Sequence, residues 1–97
     1  GNYPPYSYLG AITLLHKDIE ILNEEAKVII HFLKRDTLKI LGPIELIRLM
    51  DQYRLRIVVK GKNEKLISSL LYEVYKYHLE SKKKSKLEID MNPYVLD

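Results

Sequence analysis

Arg54, Arg56 and Lys60 fall at alternate positions of one run, Tyr53-Arg54-Leu55-Arg56-Ile57-Val58-Val59-Lys60. In a β-strand successive side chains point to opposite sides, so these three cations share one face. Tyr53, Leu55, Ile57 and Val59 share the other. A row of positive charge backed by an apolar face suits contact with a polyanion, because Lys and Arg pair with phosphates without reading sequence. Lys62 and Lys65 extend the row, and Lys82, Lys83, Lys84 and Lys86 form a second cluster. Both groups have a plainer explanation as well. Charged residues are ordinary on a solvated strand face. Cations at a helix C-terminus stabilise it by about 0.3–1 kcal/mol each.

Catalytic constellations are missing. The chain has no Gly-rich phosphate loop and no Gly-x-Gly-x-x-Gly. No nucleophile is arranged with a base and an orienting group. His16, His31 and His78 are isolated in sequence, without a second ligand at the spacing zinc sites use. Glu88 and Asp90 share a strand face, but an edge strand turning its polar side to water accounts for them better than an acid–base pair. No catalytic and no metal-ligating residue is assigned, and the chain by itself reads as a non-enzyme.

Composition sets the bounds. Ninety-seven residues suit one domain with one core. The absence of cysteine excludes a disulfide framework and Cys-ligated zinc, and fits a reducing cytoplasm. No apolar run approaches the roughly twenty residues of a membrane span, and no signal peptide is expected. The net charge of +3 is unevenly spread: residues 1–50 carry six Lys/Arg against six acids, and residues 52–86 carry ten against three. Clustered positive charge is the footprint of a phosphate-binding surface, although Lys-rich surfaces also serve solubility.

The elements that must position these cations follow from periodicity. Tyr8–Leu15 reads as a central strand buried on both faces, led in by Pro4-Pro5. Asp18 is the N-cap of a helix to about Arg35, with Ile19, Leu22, Ala26, Ile29, Ile30 and Leu33 as its core stripe. A short strand, Thr37–Leu41, is ended by Gly42-Pro43. Ile44–Gln52 reads as a helical turn or a hydrophobic loop. Tyr53–Lys60 is the third strand, and Gly61-Lys62-Asn63 turns into a helix from Glu64 to about Ser81, capped by Asn63. Leu66, Ile67, Leu70, Leu71, Val74 and His78 mark its buried face, with Tyr72 and Tyr75 at the core rim. Lys86–Met91 is the last strand, stopped by Pro93. The order strand, helix, strand, strand, helix, strand predicts an α+β two-layer sandwich, both helices on one face of a four-stranded sheet.

Four blocks stand in a telling order: Pro4-Pro5-Tyr6-Ser7-Tyr8-Leu9, Leu41-Gly42-Pro43, Tyr53-Arg54 and Glu88-Ile89-Asp90-Met91-Asn92-Pro93-Tyr94. Together they resemble the C-terminal domain of PriA, the primosomal protein N′ family of replication-restart helicases, over nearly the whole chain. The resemblance implies a fold similar to that of the ribosomal protein NusE. It also implies a bacterial, cytoplasmic role without catalysis: contact with fork or single-stranded DNA, and help in receiving the acidic tail of the single-stranded-DNA-binding protein. The family's ATP-dependent 3′-to-5′ helicase activity and its zinc belong to other domains, and no motif for either is present here. No cofactor is therefore expected in this chain. The expected DNA surface is Arg54, Arg56, Lys60, Lys62 and Lys65, with Lys82, Lys83, Lys84 and Lys86 as a second group. A tail carboxylate calls for a basic side chain beside an apolar hollow. The resemblance places Lys62 and Lys65 there, although Glu64 brings the opposite charge close by.

Two rival readings remain. One is an RNA-binding module, suggested by the NusE-like element order. The other is a structural brace between domains of the parent helicase, docking through the apolar Ile44–Met50 segment. Tyr3, Tyr6 and Tyr8 could stack on unpaired bases, but packing against a neighbouring domain explains them as well.

Overall fold

The computed structural model describes residues 7–92. Six elements follow one another: β1 (Tyr8–His16), α1 (Ile19–Leu33), β2 (Lys39–Leu49), β3 (Gln52–Gly61), α2 (Glu64–Glu80) and β4 (Lys86–Met91). The strands form one antiparallel sheet in the order β2-β3-β1-β4. Both helices cover the same side, the split βαβ arrangement expected of this element order. The Tyr3 and Tyr6 expectations, Pro4-Pro5, and the Pro93-Tyr94 end lie outside the described residues.

Local chemistry explains each helix start. The Asp18 side chain accepts from the Glu20 N–H at 2.9 Å, and the Asn63 side chain accepts from the Leu66 N–H at 3.0 Å. Each satisfies a donor that has no partner inside its helix. The core then forms between the layers. Leu22, Ala26, Ile29 and Leu33 of α1, with Ile67, Leu70, Leu71 and Val74 of α2, meet Ile12 and Leu14 of β1 and Leu55, Ile57 and Val59 of β3. Gly10 is what lets α2 settle on β1. A Cβ there would sit 2.6 Å from Leu71 Cδ1 and 2.9 Å from Ile67 Cγ2.

Three expectations need correction. First, β2 does not stop at Gly42-Pro43; it runs on to Leu49. The register slips between Leu41 and Ile44, so these residues occupy a bulge. On an edge strand a proline costs no ladder partner, and the pairing resumes beyond it. Second, Ile44–Gln52 is neither helix nor loop. It is the rest of a hairpin closed by Met50 and Asp51, both at positive φ (51° and 65°). Such turns usually carry Asn or Gly, so Met-Asp gave no signal. Third, Tyr72 and Tyr75 are not core rim: 60% and 42% of their surface is exposed. They lie on an exposed flank of α2, and Tyr75 borders a hollow beside Leu87 of β4.

Candidate nucleic-acid interface

The strand registers fix which side chains share the sheet face left uncovered by the helices. On β3 these are Arg54, Arg56, Val58 and Lys60, because Leu55, Ile57 and Val59 enter the core. Their partners on β1 are Leu15, Thr13, Ala11 and Leu9. On β2 they are Leu46, Ile44, Leu41 and Lys39, since the bulge turns Ile44 and Leu46 towards this face. On β4, Lys86 stands opposite Leu15, Glu88 opposite Thr13 and Asp90 opposite Ala11.

This lattice alters the simple picture of a basic face. The arginines form a stripe one strand wide, with aliphatic β2 positions on one side. On the other side, beyond β1, stand Glu88 and Asp90. Both arginines are also held in place. Arg54 Nη1 donates to the Ile47 carbonyl at 3.1 Å, leaning over the β2 edge. Arg56 Nε donates to Thr13 Oγ1 at 3.2 Å, leaning over β1. Among the described residues the ion pairs are Glu24–Lys27 and Arg48–Asp51, so neither arginine is neutralised by a carboxylate.

Positive charge also gathers at the far end of β3. Lys39 and Lys60 stand directly opposite each other on the open face. Like charges so placed repel, by a few tenths of a kcal/mol up to about 1 kcal/mol. Beside them opens a cleft of about 670 Å³ lined by Lys39, Lys60, Lys62, Asn63, Leu38 and Leu66 among others. It combines three lysines and one acid, Asp36, with an apolar wall, next to the start of α2, where backbone N–H groups favour anions.

The candidate cations therefore divide. Arg54, Arg56, Lys60 and Lys86 share the open face, and Lys62 joins Lys60 at the cleft. Lys65 is exposed on the first turn of α2 and does not line the cleft. Lys83 belongs to the helical layer instead, with Nζ 5.6 Å from the centre of the Tyr77 ring. Lys82 and Lys84 lie exposed in the connection before β4. Lys39 escaped the sequence reading, because only the β2–β3 register shows that it faces Lys60.

One polar network was also invisible in the sequence. Ser85 Oγ contacts Glu25 Oε1 and lies 2.9 Å from His78 Nε2. Serine, histidine and acid thus meet, but the hydroxyl sits between the other two, donating to Glu25 and accepting from His78. A nucleophile needs the histidine in the middle, taking the hydroxyl proton. Ser85 is also 95% covered, with 5% of its surface exposed. The network ties α1, α2 and the start of β4 together. Burial lowers the His78 pKa below its ordinary value, Glu25 opposes that shift, and Lys83 adds to it.

Among solved structures, the designed protein Foldit4 covers 93% of this chain and 100% of its own, with a TM-score of 0.73 at 13% identity. A dinuclear-metal-binding peptidase of the M20 family from Bacillus subtilis matches 92% of this chain with 26% of its own, at a TM-score of 0.55 and 9% identity. At such identities the likeness is one of fold alone. Sequence is more informative. The replication restart protein PriA of Bacillus subtilis (strain 168) is 40% identical over 104 aligned residues, covering 98% of this chain and 13% of that protein's length. The family model for the primosomal protein N C-terminal domain matches residues 1–94. The chain belongs to that C-terminal domain family.

Proposed function

We propose that this domain is a non-catalytic part of a PriA-like replication-restart helicase of the bacterial cytoplasm, contacting fork or single-stranded DNA through its open sheet face. The observation that carries this reading is the Lys39–Lys60 pair, two like charges set opposite each other. A phosphate between them would turn a repulsion into an attraction. Arg54 and Arg56 continue the track along the same strand, and Lys86 lies in the Arg54 row. Glu88 and Asp90 confine it, steering a backbone along β3 rather than across the sheet. Lys82, Lys83 and Lys84 play at most a peripheral part, lying away from this track.

The cleft at Lys39, Lys60 and Lys62 is the proposed seat for the acidic tail of a single-stranded-DNA-binding protein. Its lysines would meet the carboxylates while Leu38 and Leu66 receive an apolar end residue. Lys65 would act as a flanking charge. ATP and zinc are assigned, as the family resemblance implies, to other parts of the parent protein. Amide chemical-shift mapping separates the two contacts. Single-stranded DNA should perturb β3 and its neighbours on the open face, and an acidic tail peptide should perturb Leu38, Gly61 and Lys62. Shifts confined to the helical layer would contradict both.

A second reading is favoured by the hairpin end. Ile47, Leu49 and Met50 are 81%, 54% and 95% exposed. Such a cluster suits burial against another part of the parent helicase, the brace role. The two readings are compatible, because the hairpin end and the cleft lie at opposite ends of β3.

A further inference from the structure

The two edges of the sheet are built differently. The β2 edge carries Pro43 and two register slips, devices that stop another strand from pairing there. The β4 edge has none of these. Its pairing with β1 runs from Lys86 to Met91 without a slip, and among the described residues nothing pairs with its outer side.

The geometry also tells which backbone groups are free. The Asn92 N–H donates to the Leu9 carbonyl. In an antiparallel ladder such residues alternate with ones whose N–H and C=O point away. Lys86, Glu88 and Asp90 therefore turn their backbone groups to β1, whereas Leu87, Ile89 and Met91 turn theirs outward. The side chains of those same three residues lie on the helical side, half-buried against the core.

Beside this edge runs the outer flank of α2. Tyr72, Tyr75 and Leu79, three and four residues apart, are 60%, 42% and 59% exposed. A hollow of about 280 Å³ lies where Tyr75 and Leu79 approach Leu87, with Lys82, Lys83 and Lys86 also on its lining, so apolar side chains and not cations of a bound segment would enter it. At the other end of the strand, Asn92 Nδ2 reaches Glu64 Oε2 of α2 at 3.5 Å, so helix and edge run side by side. A free strand edge next to an apolar helix flank is the groove used in strand-addition recognition of extended peptides.

We propose that β4 and the flank of α2 form a strand-addition site for an extended segment of a partner protein, with apolar and cationic residues in alternation. In an antiparallel addition, residues paired with Leu87, Ile89 and Met91 would point to the helical side, towards Tyr75 and Leu79. Residues paired with Glu88 and Asp90 would point to the open side. Among the described residues these two carboxylates have no ion-pair partner, and opposite charges across a strand pair are favourable. The segment recognised here is thus opposite in charge to the acidic tail proposed for the lysine cleft. The site does not depend on DNA binding.

The test uses an acetylated, amidated Val-Lys-Val-Lys-Val peptide, with Val-Glu-Val-Glu-Val as its counterpart, titrated into the isotope-labelled chain. The lysine peptide should shift the Leu87, Ile89 and Met91 amides and slow their exchange with solvent. The glutamate peptide should bind at least about tenfold more weakly. The Glu88→Lys/Asp90→Lys variant, altered only at exposed side chains, should invert that preference. Leu79→Ser, also at an exposed position, should weaken binding several-fold. Four results would each overturn the proposal. They are no shift on β4, equal binding of both peptides, outward amides already protected in the free chain, and self-association of the chain through β4.

Discussion

Arg56 Nε donates to Thr13 Oγ1 across the β1–β3 pair at 3.2 Å, with Thr13 only 4% exposed. A buried hydroxyl on the uncovered face thereby anchors the middle cation of the stripe. Thr13→Val removes the acceptor while keeping the shape. It should cost about 0.5–1.5 kcal/mol in urea unfolding. If charge rather than position matters for phosphate contact, its DNA affinity should change less than twofold. Arg56→Glu should lower affinity by tenfold or more, on the order of 1.4 kcal/mol.

Lys39 and Lys60 should show opposite effects on stability and binding. Replacing the repulsion by attraction, Lys39→Glu should stabilise the fold by about 0.2–1 kcal/mol at low salt. The same change should weaken DNA binding and reduce the slope of log affinity against log salt by about 1. Paired melts and salt titrations of one variant read both quantities. A variant less stable and equally tight in binding would contradict the assignment of this pair.

Acid should loosen the join between α1, α2 and β4. The groups facing His78 are Ser85, Glu25 and Lys83, and burial is the largest influence on its pKa. The folded pKa lies below the ordinary 6.5, so the unfolded chain binds the proton more readily. The stabilisation is complete above about pH 6.5 and is lost as pH falls through the lowered folded value. Urea midpoints between pH 5 and 8 should decline on the acid side. His78→Asn should flatten that decline. It should also lower the midpoint at pH 8, by weakening the contact with Ser85.

Gly42 is at φ +107°, and a Cβ there would lie 2.6 Å from the Arg56 carbonyl oxygen. Gly42→Ala should therefore destabilise the chain by about 1–3 kcal/mol. Hydrogen exchange should quicken first along β2 and spare the β1–β4 pair.

Much of the fold was legible because periodicity carries it. The alternation in Tyr53–Lys60 assigned both faces of β3 correctly, and Asp18 and Asn63 are the N-caps that their residue types suggest. The NusE-like fold was an implication of the family resemblance, and the solved structures that match this chain do not bear on it. The hairpin was not legible. Gly42-Pro43 signals an ending, and the bulge that lets the strand continue depends on β2 lying at an edge. Tyr72 and Tyr75 misled for a related reason: aromatic side chains beside a core stripe read the same whether they turn inward or outward. As for the site, the cations on one strand were visible, but their neighbours on other strands were not. Lys39 opposite Lys60, and Glu88 and Asp90 bounding the stripe, follow only from register.

The central claim is that the open sheet face binds DNA. Fluorescence anisotropy of this chain with labelled fork, duplex and single-stranded DNA at two salt concentrations tests it directly, alongside Arg54→Glu/Arg56→Glu of unchanged circular dichroism. The account predicts binding that weakens steeply with salt and is lost in the variant. Absence of binding by the unaltered chain at low salt, or equal binding by the variant, would contradict it.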